Sequence, residues 1–479
     1  MGGEPAPYLF IKHMNKLQKL LKISVLAIVA TITFSSCKEP LIEPISTVSN
    51  ELVGTLTTQT LNPSIKYVIK GVVVVPEGVV LTIPAGTVLA GQKSSKGTLL
   101  IKTGGQLIAE GTESKPIVFT SNQNIGEREQ GDWGGIVMLG KANVNQNNPA
   151  IEGISPAANY GTFNSSANDG DNSGILKYVR IEYAGIALTP NNETNGLTLG
   201  GVGNNTTIDY VQTTYGGDDG FEWFGGTVNC SHLISFASWD DDFDTDFGYG
   251  GKVQFAVSVR DPFNADQSGS NGFESDNDAS GTSATPKTSA VFSNVTVLGP
   301  VYDSTKSTFS GNYQHAMHLR RNTELSILNS VISGYPLGLN LDGTLNNYTS
   351  GSGVLENNIL VCTGVKGKSP RPFYNGSSVD VNVTNYWKLT NKIFTYSKSF
   401  ADVGINPELV MGYNTTTGAS GNYPKDPNFA TFSLLTQTGA NFSNNKVKSW
   451  FQPTTYKGAF GNVDWTDIWS SFNPQNQSY

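Results

Sequence analysis

Short apolar runs separated by glycine and polar residues recur along most of the chain. Examples are LLIKTGGQLIAEGTESKPIVFTS from Leu99 and FSNVTVLG from Phe292. Apolar and polar residues alternate within them, which is typical of strands with one buried face. Gly-Gly pairs begin at Gly200, Gly225 and Gly250, a spacing of 25 residues (225 − 200 and 250 − 225). A repeat of this length, rich in glycine and β-branched residues, predicts strands stacked coil upon coil.

The repeat predicts an all-β fold, a right-handed single-stranded parallel β-helix (a solenoid) with about 25 residues per coil. We assign residues 52–364 to this solenoid, and we expect asparagines in SNV, NSV and ENNI to form an amide ladder at its turns. Residues 365–479 lack the repeat and are predicted to cap the last coil or to form an accessory segment. Three polar interruptions are predicted to leave the coil as loops that wall a groove: Asn122–Gly131, Gln146–Gly174 and Ala279–Lys287.

The N-terminus has the pattern of an exported lipoprotein. Three lysines precede the apolar stretch Ile23–Phe34, which leads into Ser35-Ser36-Cys37. This stretch has 12 residues (34 − 23 + 1), too few to span a hydrocarbon core of about 30 Å as a helix. We therefore predict a leader and signal peptide at 1–37, a lipid anchor at Cys37 and a tether at 38–51. The predicted location is the outer membrane, with the protein exposed at the cell surface.

Composition narrows the choice of partners. The net charge is −8 and charged residues make up 15% of the chain, below the roughly 25% of average domains. Nucleic acid is therefore not expected as a ligand, because its phosphates favour basic surfaces. Besides the lipidated Cys37, the mature chain contains only Cys230 and Cys362, which excludes a disulfide framework.

Three passages carry a resemblance to a known group of proteins. They are GTLLIKTGGQLIAEGTESKPIVFTS from Gly97, GDDGFEWFGGTVNC and the residues after it from Gly217, and YKGAFGNVDWTDIWSSFNP from Tyr456. They resemble pectin-lyase-like parallel β-helix lipoproteins of Bacteroidetes-type bacteria. The resemblance implies the fold and a cell-surface setting, and it supplies no reaction.

The segment Trp239–Phe247 is dense in aspartates. Strand alternation would place four of them on one face, with Trp239 and Phe243 on the other. The 25-residue spacing would place Asp219 beside Asp244 (244 − 25), so like charges would need a cation or raised pKa values. Calcium is suited to such a face because it takes about 6 to 8 oxygen ligands. The alternative is that these aspartates form turns and face water. The predicted calcium ligands are Asp219, Asp240, Asp242, Asp244 and Asp246.

Candidate catalytic residues are few. A polyuronate lyase needs a base and a cation that neutralises the substrate carboxylate. A glycoside hydrolase needs two carboxyl groups, but the Gly-His-Gly and Arg-x-Lys that accompany paired aspartates in polygalacturonases are missing here. If the chain is an enzyme, a lyase is favoured over a glycoside hydrolase, although a solvated surface charge is the better interpretation of each candidate. The candidates are Lys252, Arg260, His318 and Arg320.

Two functions from different classes remain open. The first is a non-catalytic lipoprotein that binds a glycan or another polymer for nutrient capture or surface assembly, with outer-membrane uptake or assembly partners. Trp223 and Tyr249 are its predicted exposed ligand-binding rings. The second is a calcium-dependent lyase that acts on an acidic polysaccharide. We favour the first, since it requires only an anchor, a solenoid and a surface.

Overall fold

Parallel strands wind around a single axis, as the short alternating runs predict. Each coil contributes in turn to three parallel sheets, which we name A, B and C, so the chain is a right-handed single-stranded parallel β-helix. The described residues belong to one compact unit, Ser49–Tyr479. The predicted signal peptide and Cys37 lie outside them. The computed structural model describes residues 49–189, 192–303, 308–362, 371–391, 393–396, 400, 404–406, 408, 410, 423–424, 426–430 and 434–479.

Several long strands bend and contribute to two sheets. Sheet A contains Lys66–Val75, Thr98–Ile101, Ile136–Leu139, Leu197–Gly200, Phe221–Phe224, Phe243–Asp246, Phe273–Ser275, His315–Arg320, Leu337–Asp342 and Arg371–Asn375. Sheet B contains Gln59–Thr60, Val80–Pro84, Gln106–Glu110, Gly174–Glu182, Thr207–Thr214, Asn229–Phe236, Lys252–Val259, Val291–Leu298, Ser326–Leu328 and Leu355–Glu356. Sheet C contains Glu51–Thr55, Lys66–Val75, Val88–Gly91, Ile117–Ser121, the same five long strands from Gly174–Glu182 to Val291–Leu298, Val331–Ser333, Ile359–Cys362 and Ile393–Tyr396.

The remaining elements are short. Ser378–Val379 pairs antiparallel with Arg371–Asn375. Among the described residues, no helix is both long enough and apolar enough to cross a membrane. In the described part of the chain, three two-stranded pairs lie outside the coils: Asn143–Val144 with Thr162–Phe163, Ala150–Ile151 with Ala158–Asn159, and Ala187–Thr189 with Asn192–Glu193. The helices described there are Leu345–Thr349, Val381–Thr390 and Leu434–Gln437, and the 3-10 turns are Lys93–Ser95, Ser166–Asn168, Asn445–Val447 and Pro474–Asn476.

The strand register differs by a few residues from the glycine spacing. Asp244 pairs with Glu222, 22 residues earlier (244 − 222), and Val253 pairs with Cys230, 23 residues earlier (253 − 230). The predicted register, which pairs Asp219 with Asp244, is therefore wrong, although the carboxylate oxygens of these two residues do lie within 4.8 Å of each other. Loops of unequal length between strands change the sequence separation from coil to coil, so a spacing measured between turns does not give the pairing of the strands.

Inward side chains form continuous apolar stacks through the coils. Phe221, Phe243 and Phe273 pair in register on sheet A and are fully buried. Their rings lie 6.1 Å and 5.3 Å apart, centroid to centroid. Each coil thus buries its apolar residues against the coils before and after it, which is how a solenoid builds one core from short strands.

A line of residues with positive φ marks the bend between sheets B and C. These residues occupy equivalent positions in seven successive coils, with φ between 50° and 61°. The last three are the asparagines of SNV, NSV and ENNI. Asn357 donates its amide to Asn329 Oδ1 at 2.7 Å, which is one step of the predicted ladder, whereas Asn329 donates to Ser293 Oγ at 3.3 Å in the next coil. Asparagine tolerates this left-handed conformation better than most residues. The line consists of Tyr178, Tyr210, His232, Phe255, Asn294, Asn329 and Asn357.

The C-terminal segment has two structural roles. Helix Val381–Thr390 covers the end of the interior, where Trp387 is buried 5.8 Å from Phe373. The stretch 434–479, which we name the tail, runs back along the outer surface of sheet C. Gln212 donates its side-chain amide to the Ser471 carbonyl at 2.7 Å, and Trp469 is fully buried there. The segment therefore caps one end and also covers a flank.

Candidate functional site

Sheet A presents a row of acidic side chains to the outside of the coil, which we name the acidic row. Glu222, Asp244 and Glu274 pair in register, between Thr198 and His318. The residues on either side of each acid point inward, because alternate residues of a strand face opposite ways. Neighbouring strands lie about 4.8 Å apart, so three like charges are stacked at close range.

Burial and mutual repulsion disfavour the charged form of the acidic row. Desolvation raises the pKa of Glu222 well above its usual range, and the nearby Asp218 and Asp246 raise it further. Desolvation also raises the pKa of Asp244 and of Glu274, and the neighbouring acid of the row adds to each increase. The row is therefore stabilised by bound protons or by a cation.

Sequence reasoning missed two members of this row. Glu222 and Glu274 follow buried phenylalanines in FEW and FES, as Asp244 follows Phe243 in FDT. An acid between inward residues, repeated in successive coils, is the signal that could have found them. The glycine-based register concealed it, because it matched Asp244 with position 219 instead of 222.

Asp219 and Asp241 have structural roles at the turn that precedes the strands of sheet A. The Asp241 N–H donates to Asp219 Oδ1 at 2.8 Å, and the Asn271 N–H donates to Asp241 Oδ1. The His315 N–H continues the pattern by donating to Asn271 Oδ1 at 3.0 Å. Each side chain thus satisfies a backbone donor of the next coil. This turn role is part of the alternative left open for the aspartates, but Asp219 is buried and does not face water, and only its Oδ1 accepts this hydrogen bond.

Asp242 does not face outward with its neighbours, so its predicted place in the calcium face is wrong. It is fully buried and lies 3.1 Å from Arg260 Nη1, measured from its Oδ1. Ser235 and Tyr335 also donate hydroxyl hydrogen bonds to it. Alternation fails here because strand Phe243–Asp246 begins only after this residue. Arg260 is fully buried in the same pair, which contradicts a role as an accessible base.

Arg320 and His318 lie beside the acidic row. Arg320 donates Nη2 to Glu274, and its Nε to Asp276 Oδ1 at 2.9 Å. Burial lowers the pKa of Arg320, but these two carboxylates together raise it above its ordinary value. Burial lowers the pKa of His318, whose Nδ1 lies 3.7 Å from Glu274. Arg320 therefore neutralises acids of the protein itself. Because it stays protonated, it is poorly suited to accept a proton from a substrate.

The other sequence candidates lie elsewhere. Lys252 is on sheet B, where it pairs with Val291, and not at the acidic row. Trp223 and Tyr249 are fully buried and stack 5.4 Å apart in the core, so the prediction that they are exposed rings is wrong. Trp239, which alternation placed inward, is instead 36% exposed. It precedes the strand, so strand alternation does not determine its direction.

Two adjoining cavities flank the acidic side chains and share Asp218 and Glu193. The larger, of about 780 Å³, is lined by Asp240, Asp266 and the exposed ring of Trp239. The smaller has a volume of about 310 Å³. Residues from the predicted loops Asn122–Gly131 and Gln146–Gly174 line them, as expected of groove walls. The smaller cavity is lined by Ala150, Ile151, Glu152, Tyr160, Asn192, Glu193, Thr194, Asn195, Thr198, Asp218, Glu222, Phe224, Asp246 and Phe247.

Carboxylate oxygens approach one another closely at two places beneath the cavities. In each group of three residues, the oxygens lie within 4.8 Å of one another. Among the described residues, the buried Oδ1 atoms of Asp240 and Asp244 have no hydrogen-bond partner. Of the five predicted calcium ligands, three belong to these groups, whereas Asp242 faces Arg260 and Asp246 lines the smaller cavity. The groups are Asp218, Asp219 and Asp240, and Asp219, Glu222 and Asp244.

Comparison with known proteins agrees with this architecture. A family model described as a pectate-lyase like beta helix domain matches residues 54–398. No curated protein and no solved structure matches the chain. The match covers the coils of sheets A, B and C and helix Val381–Thr390, and it ends before the tail.

Proposed function

We propose that this chain, which belongs to the pectate-lyase like beta helix domain family, is a surface lipoprotein that binds a polysaccharide beside sheet A. The observation that carries this proposal is the pair of adjoining cavities of about 780 and 310 Å³, joined at Asp218 and Glu193. Protein sites for organic ligands are concave and commonly of this size. Two adjoining cavities suit a ligand made of successive units.

The lining has the chemistry that sugars require. Trp239 presents its ring to the larger cavity, and Tyr160, Phe224 and Phe247 present theirs to the smaller. Rings of this kind offer large apolar faces against which the C–H face of a sugar packs. The surrounding carboxylates accept hydrogen bonds from hydroxyl groups, and charged acceptors form the stronger ones. Packing on one face and hydrogen bonding at the rim would orient a pyranose ring.

We propose calcium as the cation that neutralises the acidic row, with Asp219, Glu222 and Asp244 as ligands. Their oxygens lie within 4.8 Å of one another, and Asp244 Oδ1 has no hydrogen-bond partner among the described residues. Calcium accepts carboxylate ligands in irregular arrangements, and backbone carbonyls and waters would complete its shell. The ion would hold strands of neighbouring coils together beneath the bound polymer.

The second candidate, a calcium-dependent lyase, rests on the position of Arg320 beside the acidic row. A lyase needs a group that takes a proton from the sugar carbon. Arg320 is held protonated by Glu274 and Asp276, so it is poorly suited to that task. The geometry therefore supports binding better than elimination.

Export and anchoring complete the proposal. Ser35-Ser36-Cys37 after the apolar stretch supports lipidation at Cys37 and placement on the outer membrane. A solenoid held there would present its cavities to polymers outside the cell, for nutrient capture or surface assembly. Outer-membrane uptake or assembly proteins are its expected partners.

The test uses the chain from Lys38 to Tyr479 and a panel of neutral, acidic and amino polysaccharides. Binding is measured by calorimetry with calcium and with chelator, while absorbance at about 235 nm follows unsaturated product. We expect binding to at least one polymer without product. Trp239→Ala should weaken it about tenfold, equivalent to about 1.4 kcal/mol.

The matched control is Trp450→Ala, which removes a tryptophan of similar exposure, 43%, from the tail. This variant should bind like the unmodified chain. Growth of unsaturated product that chelator abolishes would establish the lyase and refute the binding proposal. Failure to bind any polymer would refute both.

A further inference from the structure

The smaller cavity has a strong imbalance of charge. Five carboxyl groups line it, and no Lys, Arg or His is among the described residues that do so. The larger cavity has the same character, with four carboxyl groups and no basic residue in its described lining. An acidic polymer entering either cavity would meet like charge at short range. The five carboxyl groups belong to Glu152, Glu193, Asp218, Glu222 and Asp246.

Basic residues of the neighbouring coils do not correct this imbalance. Arg320 and Arg321 contact Glu274 and Asp276, which are not among the residues that line the cavity. Arg260 is buried behind sheet A against Asp242. The cations of this region are thus paired with other acids, and no basic side chain of the described lining offsets the carboxyl groups of the cavity, whose ionised form a bound cation would favour.

Asn195 adds an independent observation inside the cavity. Its side chain is only 3% exposed, and its Nδ2 donates to Glu222 Oε2 and to Thr198 Oγ1. Its Oδ1 is buried and has no hydrogen-bond donor among the described residues. A buried acceptor without a donor costs free energy. A ligand that donates a hydrogen bond to Asn195 Oδ1 would remove this cost and so bind more tightly.

The hydrogen-bonding groups around the cavity are mainly acceptors. Asn195 Oδ1 and the carboxylates of Glu222 and Asp246 can accept but, when ionised, cannot donate. An ammonium group has three donors and no acceptor, so it complements such a set. A neutral hydroxyl also donates, but it brings no charge to offset the carboxylates.

Aromatic rings complete the lining. Phe224 and Phe247 stack 5.7 Å apart, and Tyr160 lies 6.3 Å from Phe224. Rings attract cations through their faces and also pack against sugar rings. Carboxylates and aromatic rings together favour a ligand that is both a sugar and a cation.

We propose that the smaller cavity selects an amino sugar whose amine is protonated, as a unit of a cationic polysaccharide. This inference rests on the proposed polysaccharide binding and names the class of the ligand. Calcium at Asp219, Glu222 and Asp244 would engage only one of the five lining acids, so four would remain for the ligand. Glu222 and Asp246 both lie on sheet A: Asp246 would contact the amine with the ion bound, and both would contact it when chelator removes the ion.

The test compares two ligands that share length and backbone and differ at the nitrogen, which is an amine in one and a neutral acetamide in the other. They are oligomers of β-1,4-linked glucosamine and their fully N-acetylated counterparts, and calorimetry measures the affinity of each for the chain Lys38–Tyr479 near neutral pH. We expect the free-amine oligomer to bind at least about tenfold more tightly, with an affinity that falls as salt is added. With chelator present, Glu222→Gln and Asp246→Asn should each reduce this preference.

The control is Glu110→Gln, which neutralises an exposed carboxylate on sheet B and should leave the preference unchanged. Unfolding midpoints of all three variants verify that the fold is kept. Equal affinity for both oligomers, or preference for an N-acetylated or acidic polymer, would overturn this inference and leave polysaccharide binding in place. Absence of binding to any polysaccharide would overturn both.

Discussion

Sheets A and C carry opposite chemistry on the outer faces of the same coils. On sheet A, Glu222 and Asp244 point outward in successive strands. On sheet C, Ile234 and Val257 occupy outward positions of the corresponding coils and are fully buried. The difference lies in what covers each face. The tail packs on sheet C through residues such as Trp469, whereas cavities adjoin sheet A.

This contrast shows that inward and outward residues of a coil are under different physical constraints. Inward rows are apolar on both sheets, because every coil must bury a core. Outward rows are not constrained in this way, so the type of residue at an outward position depends on what contacts that face of the coil. Apolar outward residues on sheet C match a segment of the same chain. The carboxylates of sheet A beside the cavities are not covered by a described segment in the way that the tail covers sheet C, and this supports the proposal that a ligand binds there.

The largest effect is expected on the covered face. Trp469 is fully buried and donates Nε1 to the Trp465 carbonyl at 2.9 Å. Trp469→Ala should lower the free energy of unfolding by about 4 kcal/mol, because it leaves a cavity between tail and sheet. Urea unfolding measures it. Trp450→Ala, at an exposed tryptophan, should cost less than about 1 kcal/mol. Equal losses in the two variants would show that the tail is not part of the cooperative fold.

The next prediction concerns charge behind sheet A. Arg260→Met should lower the free energy of unfolding by about 3 kcal/mol, because it leaves Asp242 buried without its cation. Arg320→Met is the matched control, and a smaller loss of about 1 kcal/mol is expected because the Arg320 side chain, unlike that of Arg260, is partly exposed to solvent. A smaller loss for Arg260→Met than for Arg320→Met would contradict the division between buried and groove-facing charges.

The acidic face should gain stability when a charge is removed. Burial, then the charge of Asp266, raises the pKa of Asp240 to about 6. The folded state therefore holds this proton more tightly than the unfolded state, whose pKa is about 4, and stability falls as pH rises between these values. With chelator at neutral pH, Asp240→Asn should raise the free energy of unfolding by about 2 kcal/mol. Urea midpoints across this pH range provide the measurement.

Asp380 provides a control of opposite sign. A hydrogen bond from the Asn382 N–H lowers the pKa of Asp380, which caps helix Val381–Thr390. Its contribution to stability is therefore lost as pH falls, and Asp380→Asn should not stabilise the chain at neutral pH. If Asp240→Asn destabilised the chain at neutral pH, the proposal that burial and like charge make the ionised Asp240 unfavourable would be wrong.

The smallest effect is expected where the covered face begins, at the bend between sheets B and C. His232 has a φ of 50° and stacks 4.1 Å from Tyr210. His232→Asn should cost about 1 kcal/mol through the lost stacking, because asparagine accepts this conformation as it does at Asn329. His232→Val should cost more, since a branched side chain resists positive φ. Thermal unfolding compares them, and equal losses would contradict a conformational role for this position.

The sequence by itself determined the repeating fold. Apolar alternation, glycine-marked turns and the asparagines of SNV, NSV and ENNI are local features, and each predicts local structure wherever it recurs. Adding them coil by coil gives the solenoid, because each coil contacts mainly its neighbours. An acidic surface near Asp244 was also predictable, since an acid between inward residues must point outward.

Only the tertiary structure decided the strand register and the direction and burial of individual side chains. Loops of different length shift the strand pairing, so Asp244 pairs with Glu222, and Asp219 approaches it from the preceding turn through its carboxylate. Asp242 turns inward to Arg260, and Trp223 and Tyr249 enter the core, because those directions depend on where strands begin and on contacts distant in sequence. The tail covers sheet C for the same reason: which surface a remote segment buries is a property of the whole packed molecule, and no local pattern records it.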